Sequence, residues 1–142
     1  MENFLLQREL TISCSRTERG KHMQLGIRLH DIKKAPLEER LAIAKEQGFL
    51  CGHLALSKVI TEYPVDDGAL TPGYAMYLKK IFAKNDLDIA VLGCYLNLAN
   101  PDEGQLAKIT HRYLAHIRFA SLLGVGVVGT ETGAVNRSEE HT

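Results

Sequence analysis

Between residues 24 and 130 the chain repeats one pattern: a short apolar run, a turn, and then a longer stretch whose apolar residues recur at helical spacing. No other feature of the sequence restricts the fold as much. Consecutive strands joined by a helix are free to lie parallel, because the crossover is long enough to bring the chain back to the starting edge. In the first unit, residues 24–29 alternate, with Leu25, Ile27 and Leu29 on one face and Gly26, Arg28 and His30 on the other, which is the period of a strand. Pro36 suits the first position of a helix, where its missing N–H costs nothing. Leu37, Leu41 and Ala44 follow as an i, i+4, i+7 stripe, and Gly48 closes it as a left-handed cap.

The phrase returns three times. Residues 51–56 form a short apolar strand; Thr71 and Pro72 make an N-cap and first-turn pair; Leu78, Ile81 and Phe82 line a helix that ends near Asn85. Residues 88–96 (DIAVLGCYL) form the longest apolar strand, followed by Asn100, Pro101, Asp102 and Glu103, a cap, a proline and two acids placed where the helix dipole favours them. Leu106, Ile109, Tyr113, Ile117 and Ala120 then keep helical spacing until Gly124. Residues 125–130 (VGVVGT) read as a fourth strand, and Asn136 with Glu139 as the opening of a further helix.

Strand starts at 24, 51, 88 and 125 lie 27, 37 and 37 residues apart. Both a doubly wound sheet and a TIM barrel produce such alternation. A dinucleotide-binding sheet needs a glycine fingerprint after its first strand, and Arg28, Leu29, His30 and Asp31 do not supply one. The sequence therefore predicts a parallel (β/α) repeat, the N-terminal half of a TIM barrel, with about four strands and three long helices. Residues 23–136 form this partial barrel, 1–22 a poorly ordered extension and 137–142 a truncated tail. Met23 stands directly before the first strand and is the expected natural start, which makes 1–22 an upstream read-through or a cloning remnant.

Composition narrows the setting. Lysine plus arginine equals aspartate plus glutamate at 17 each in 142 residues, so no overall basic field exists to gather nucleic acid or anionic membrane. Cys14, Cys51 and Cys94 are far apart and odd in number, which argues against a disulfide framework or a structural zinc site and for a reducing, cytoplasmic setting. No apolar run approaches the length of a membrane span.

The runs MQLGIRLHD (23–31), AKEQGF (44–49), DIAVLGCYLNLANPD (88–102) and ASLLGVGVVGTETGA (120–134) together resemble the xylose isomerase-like TIM-barrel family of sugar phosphate isomerases and epimerases. The resemblance covers nearly all of the chain after residue 22. It implies isomerisation or epimerisation of a sugar beside a carbonyl, with a divalent metal (Mn, Mg, Co or Zn) polarising that carbonyl so that a carboxylate can remove the adjacent proton. The family's metal ligands come from later strands, so the resemblance implies no metal ligand here and no tight metal binding by this chain. What it implies for these four strands is scaffold and substrate-pocket wall, with a small sugar as the partner of the full-length parent.

Residues at the C-terminal ends of barrel strands face the active site, and four candidates follow. His30 and Asn97 could hydrogen-bond sugar hydroxyls, the competing readings being a loop histidine and a turn former. Lys58 could meet a phosphate or carboxylate, against a solvated lysine. Glu131 is the catalytic candidate, a base or a carboxylate near a metal, against a solvated loop glutamate. His53 reads as a core or lumen residue, Cys94 as a buried inert thiol, and His111 and His116, five apart, miss the i, i+4 spacing of a helical metal pair. Two further readings stand beside the isomerase half. One is a half-barrel binding module that self-associates through its open sheet edges without catalysis. The other is a metal-dependent endonuclease relative, disfavoured by the neutral charge and by Ser57 and Asn97 where that reading wants histidines.

Overall fold

A computed structural model describes residues 23–130. Four parallel strands, β1 (Gly26–Arg28), β2 (Cys51–Ala55), β3 (Asp88–Gly93) and β4 (Val128–Gly129), lie side by side in the order β1-β2-β3-β4. The connections carry α1 (Leu37–Glu46), the single turn α2 (Leu56–Val59), α3 (Pro72–Lys84) and α4 (Glu103–Leu123). A doubly wound sheet reverses its strand order at a switch point; this one does not. The three long helices also send their apolar stripes to one core. Leu37 and Leu41 of α1, Leu78, Ile81 and Phe82 of α3, and Phe119 and Leu123 of α4 cluster with Leu54 and Leu92, which are register neighbours on a single face of the sheet. Sequential order with all long helices on one face is the architecture of half a TIM barrel.

The helix ends follow local chemistry. Pro36 occupies the N-cap of α1, one position earlier than expected, and its carbonyl accepts from Arg40 N at 3.1 Å. Thr71 Oγ1 accepts from Tyr74 N at the start of α3, with Pro72 in the first turn. For α4 the cap is Asp102, whose carboxylate accepts from Gln105 N at 2.7 Å, whereas Asn100 turns its side chain to Asp102 N. The expected cap at Asn100 thus gives way to an Asx turn that leads into the real one. Gly48 and Gly124 both adopt positive φ, 84° and 75°. In each case the following residue, Phe49 or Val125, donates to the carbonyl five positions back, a Schellman closure that satisfies the last helical turn.

The strands are shorter than the apolar runs. β1 ends at Arg28 because Leu29–Asp31 turn into a single 3-10 loop, and this loop is tied down from below. The Arg40 side chain, 3% exposed, donates to the carbonyls of Leu29, Ile32 and Ala35. β4 starts only at Val128, since Val125 N is committed to the closure of α4. β3 carries a register shift opposite Gly52 and His53, with Ala90 as the unpaired extra residue.

Candidate functional site

Strand parity determines which side chains meet above the sheet. Arg28, His53 and Val91 are register neighbours on the face opposite Leu54 and Leu92. Moving two residues toward the C-terminal ends on that face gives His30, Ala55 and Gly93, and two more along the third segment gives Tyr95. His30 and Tyr95 belong to the segments that leave β1 and β3, and with His53 they form a compact triad of rings. Ring centroids are 5.8 Å apart for His30 and His53, 5.7 Å for His30 and Tyr95, and 5.8 Å for His53 and Tyr95. The first two pairs are edge-to-face and the third is stacked, with Tyr95 Oη 3.4 Å from His53 Nε2. Lys58 of α2 completes the group, its Nζ 3.8 Å from the Tyr95 ring centroid, a cation–π contact of about 0.5–1 kcal/mol at such an exposed position.

Gly93 makes room for this assembly. A Cβ there would collide with His53 Nε2 and come within 3.0 Å of the Ala55 methyl. The glycine is the floor on which the His53 ring lies.

Electrostatically, the rings are neutral imidazoles in a positive neighbourhood. Burial pushes the pKa of His53 below the ordinary histidine value, and His30, Arg28 and Lys58 push in the same direction. Burial likewise lowers His30, whose neighbour Asp31 opposes the shift while Arg28, Lys58 and Arg40 reinforce it. Arg28 holds Asp31 through two hydrogen bonds, at 2.8 and 3.0 Å, and these keep the carboxyl below its usual range. His30 Nδ1 is buried and has no hydrogen-bond partner. A neutral imidazole offers one donor and one acceptor, so the pair suits groups that both give and take hydrogen bonds.

Of the residues singled out from sequence, His30 and Lys58 are brought together. Asn97 is not part of the cluster's contacts: its Oδ1 accepts from Ala99 N at 3.1 Å, the turn-forming role. β3 ends four residues earlier, at Gly93, so Asn97 does not stand at a strand end. Glu131 lies outside the described residues. His53 and Tyr95 are the members of the ring cluster that sequence reasoning passed over. What brings them together is the parallel register, which sets His53 beside Arg28, and Gly93, two residues before Tyr95 on the same face.

The remaining polar groups do not extend the site. Cys94 is buried toward the helices, which raises its thiol to about 11, consistent with an inert core position. His116 is buried, with Nδ1 against Arg112 O at 2.9 Å, while His111 stands 3.6 Å from Asp67 on the surface. A cleft of about 440 Å³ opens at the opposite end of the sheet, between α3 and α4, lined by Phe82, Leu87, Ile89, Leu123 and Val125 with Lys79 and Asp86 nearby. Lys79, Asp86 and Asp88 also line it, and it lies at the end of the strands that in barrels serves stability.

No protein-family model matches the chain, and no curated protein matches it. The ring cluster's own chemistry therefore carries the functional argument. The described residues hold no group of three histidine, cysteine or carboxylate side chains that converge as metal ligands. His30 and His53 lie edge to face, and Asp31 is held by Arg28.

Proposed function

We propose that the chain furnishes the substrate-pocket wall of a sugar or sugar-phosphate isomerase or epimerase of the xylose isomerase-like kind. The observation that carries this reading is the His30–His53–Tyr95 cluster at the C-terminal ends of three neighbouring parallel strands, the end where barrel enzymes bind substrate. Neutral imidazoles kept so by burial match sugar hydroxyls, each of which donates and accepts. The rings bind and orient. The divalent ion and the carboxylate that such chemistry needs are assigned to residues outside 23–130.

Two measurements test the proposal. Saturation-transfer NMR of the full chain with a panel of ketoses and aldoses is expected to show binding that His53→Gln weakens about tenfold, the loss expected for one hydrogen bond to a buried partner. The same chain given Mn²⁺ or Mg²⁺ is expected to show no turnover on that panel. Absence of sugar binding would sink the pocket reading, and clear turnover would overturn the assignment of metal and base to other residues.

A second reading, a half-barrel binding module closed by self-association, draws support from a different observation. The sheet face without helices leaves Val127, at the entry to the outer strand β4, 53% exposed. Unpaired edges of this kind favour association. Light scattering distinguishes the readings: a concentration-independent monomer removes the module closed by pairing, while a dimer that dissociates when Val127 is changed to Lys supports it.

A further inference from the structure

The three long helices close in the same way, but one of the closures uses a different residue. In α1, α3 and α4 an N–H reaches the carbonyl five positions back, from Phe49 to Ala44, from Leu87 to Phe82 and from Val125 to Ala120. Each closure passes through a residue of positive φ: Gly48, Asp86 and Gly124. Glycine enters that conformation freely, whereas a residue with a Cβ is less favourable there, aspartate less so than most. At the end of α3 an aspartate nevertheless occupies it, at φ 52°. Asp86 lines the cleft between α3 and α4, together with Asp88 and the buried side chains of Phe82, Leu123 and Val125. The C-terminal ends of both helices open onto this cleft. That of α4 carries the partial negative charge of a 21-residue helix and has no basic residue in its last turn, where α1 has Lys45 and α3 has Lys84. Two carboxylates and two helix C-termini make the cleft negative. The nearby cations leave it so. Lys79 stands seven residues before Asp86, about two helical turns away, and Lys45 meets Asp86 at 3.1 Å in a pair whose side chains are 50% and 62% exposed, which water screens and an incoming cation can replace.

We propose that this cleft binds a small organic cation with an apolar body, in its simplest form an arylalkylammonium. The ammonium is assigned to Asp86, Asp88 and the carbonyl end of α4, and the ring to the lining formed by Phe82, Leu123 and Val125. At about 440 Å³ the cleft has the size of a small-molecule site. Exposed acids beside buried apolar side chains select an occupant that is charged at one end and apolar at the other. The sign of the charge follows from the surroundings: an ammonium is attracted by each carboxylate and by the helix dipole, and an anion of the same shape is repelled by all of them. Lys45 and the ligand compete for Asp86, so the protein's own ion pair weakens binding. The cleft lies at the opposite end of the strands from the ring cluster, and the proposal stands or falls independently of the pocket-wall reading.

Amide-resolved NMR titration of the full chain with phenethylammonium tests this. Hydrocinnamate, which has the same ring and the opposite charge, and methylammonium, which has the charge without the ring, are the controls. Phenethylammonium is expected to shift the Leu87 and Val125 amides saturably in the millimolar range, and to bind at least about tenfold more tightly than either control. Asp86→Asn keeps a residue that tolerates positive φ and removes the charge; it should weaken binding about fivefold or more. Lys45→Gln removes the competitor and should strengthen binding about two- to fivefold, the range set by an exposed ion pair. Asp86 and Lys45 are both exposed, so the two variants should melt close to the parent, and a change in affinity then reports on the cleft rather than on the fold. Equal affinity for hydrocinnamate, an affinity for phenethylammonium that Asp86→Asn leaves intact, weaker binding in Lys45→Gln, or the absence of a saturable shift at Leu87 and Val125 each overturns the proposal, whatever the ring cluster binds.

Discussion

The two faces of the sheet are built from adjacent residues and do opposite work. Leu92 is fully buried in the cluster that receives α1, α3 and α4, whereas Val91, its neighbour in β3, faces away from the helices and is half-buried beside His53. One face holds the apolar packing that stabilises the fold. The other holds Arg28, His53 and Gly93, and past the strand ends His30 and Tyr95. A strand's period of two assigns these roles residue by residue, so core and candidate site share a backbone without sharing side chains.

The largest expected effect tests this division directly. Leu92→Ala should cost about 2–5 kcal/mol, the range for truncating a fully buried leucine. For a domain of this size that lowers Tm by at least about 8 °C. Val91→Ala, one residue away, removes partly exposed methyl groups and should cost about 1 kcal/mol or less. Calorimetric melts of the two variants provide the comparison. Similar losses would mean that the open face is packed as tightly as the closed one, and the separation of stability from site would fail.

Gly93→Ala probes the point where the two functions meet. The added methyl collides with His53 Nε2 and crowds the Ala55 methyl, so the ring must leave its place. The expected cost is about 1–3 kcal/mol, as for overpacking elsewhere, together with lost sugar binding. Pairing the change with His53→Ala removes the larger collision and should recover most of the stability, though none of the binding. A double-mutant cycle by urea denaturation reads the recovery. Additive losses would show that the glycine is needed for its backbone rather than for the space it leaves.

What could be read in the sequence follows the same division. The helix-covered face was legible because helical stripes, proline and threonine at helix starts, and the cap glycines Gly48 and Gly124 are local signals, and local signals fix three helices and their order. Four strands were legible as apolar runs, but their ends were not. Arg40 pulling on the Leu29 carbonyl and the Schellman bond to Val125 are decisions made by partners several residues away. The candidate site was legible in half. His30 and Lys58 stand near strand ends and could be found by position. His53 was set aside as a lumen residue because nothing in one strand reveals that its ring lies over a glycine of the next. Tyr95 was hidden by the assumption that β3 continues to residue 96. A parallel register brings together residues 25 and 42 positions apart, and no periodicity within a single run carries that information.

The smallest effect is the dependence of stability on pH. Burial lowers the folded-state pKa of both His30 and His53 below the ordinary value of about 6.5. Below that value the unfolded chain binds protons that the folded cluster refuses, so the folded state loses stability as acid is added. Stability should be full above about pH 6.5, decline as pH falls through the window beneath it, and level off once the folded imidazoles protonate as well. Asp31, lowered first by the hydrogen bonds from Arg28, adds its own loss only in the more acidic range where carboxylates titrate, so the two contributions separate along the pH axis. Urea midpoints at closely spaced pH values should therefore show a first step that disappears in the His30→Gln, His53→Gln variant and a second that persists in it.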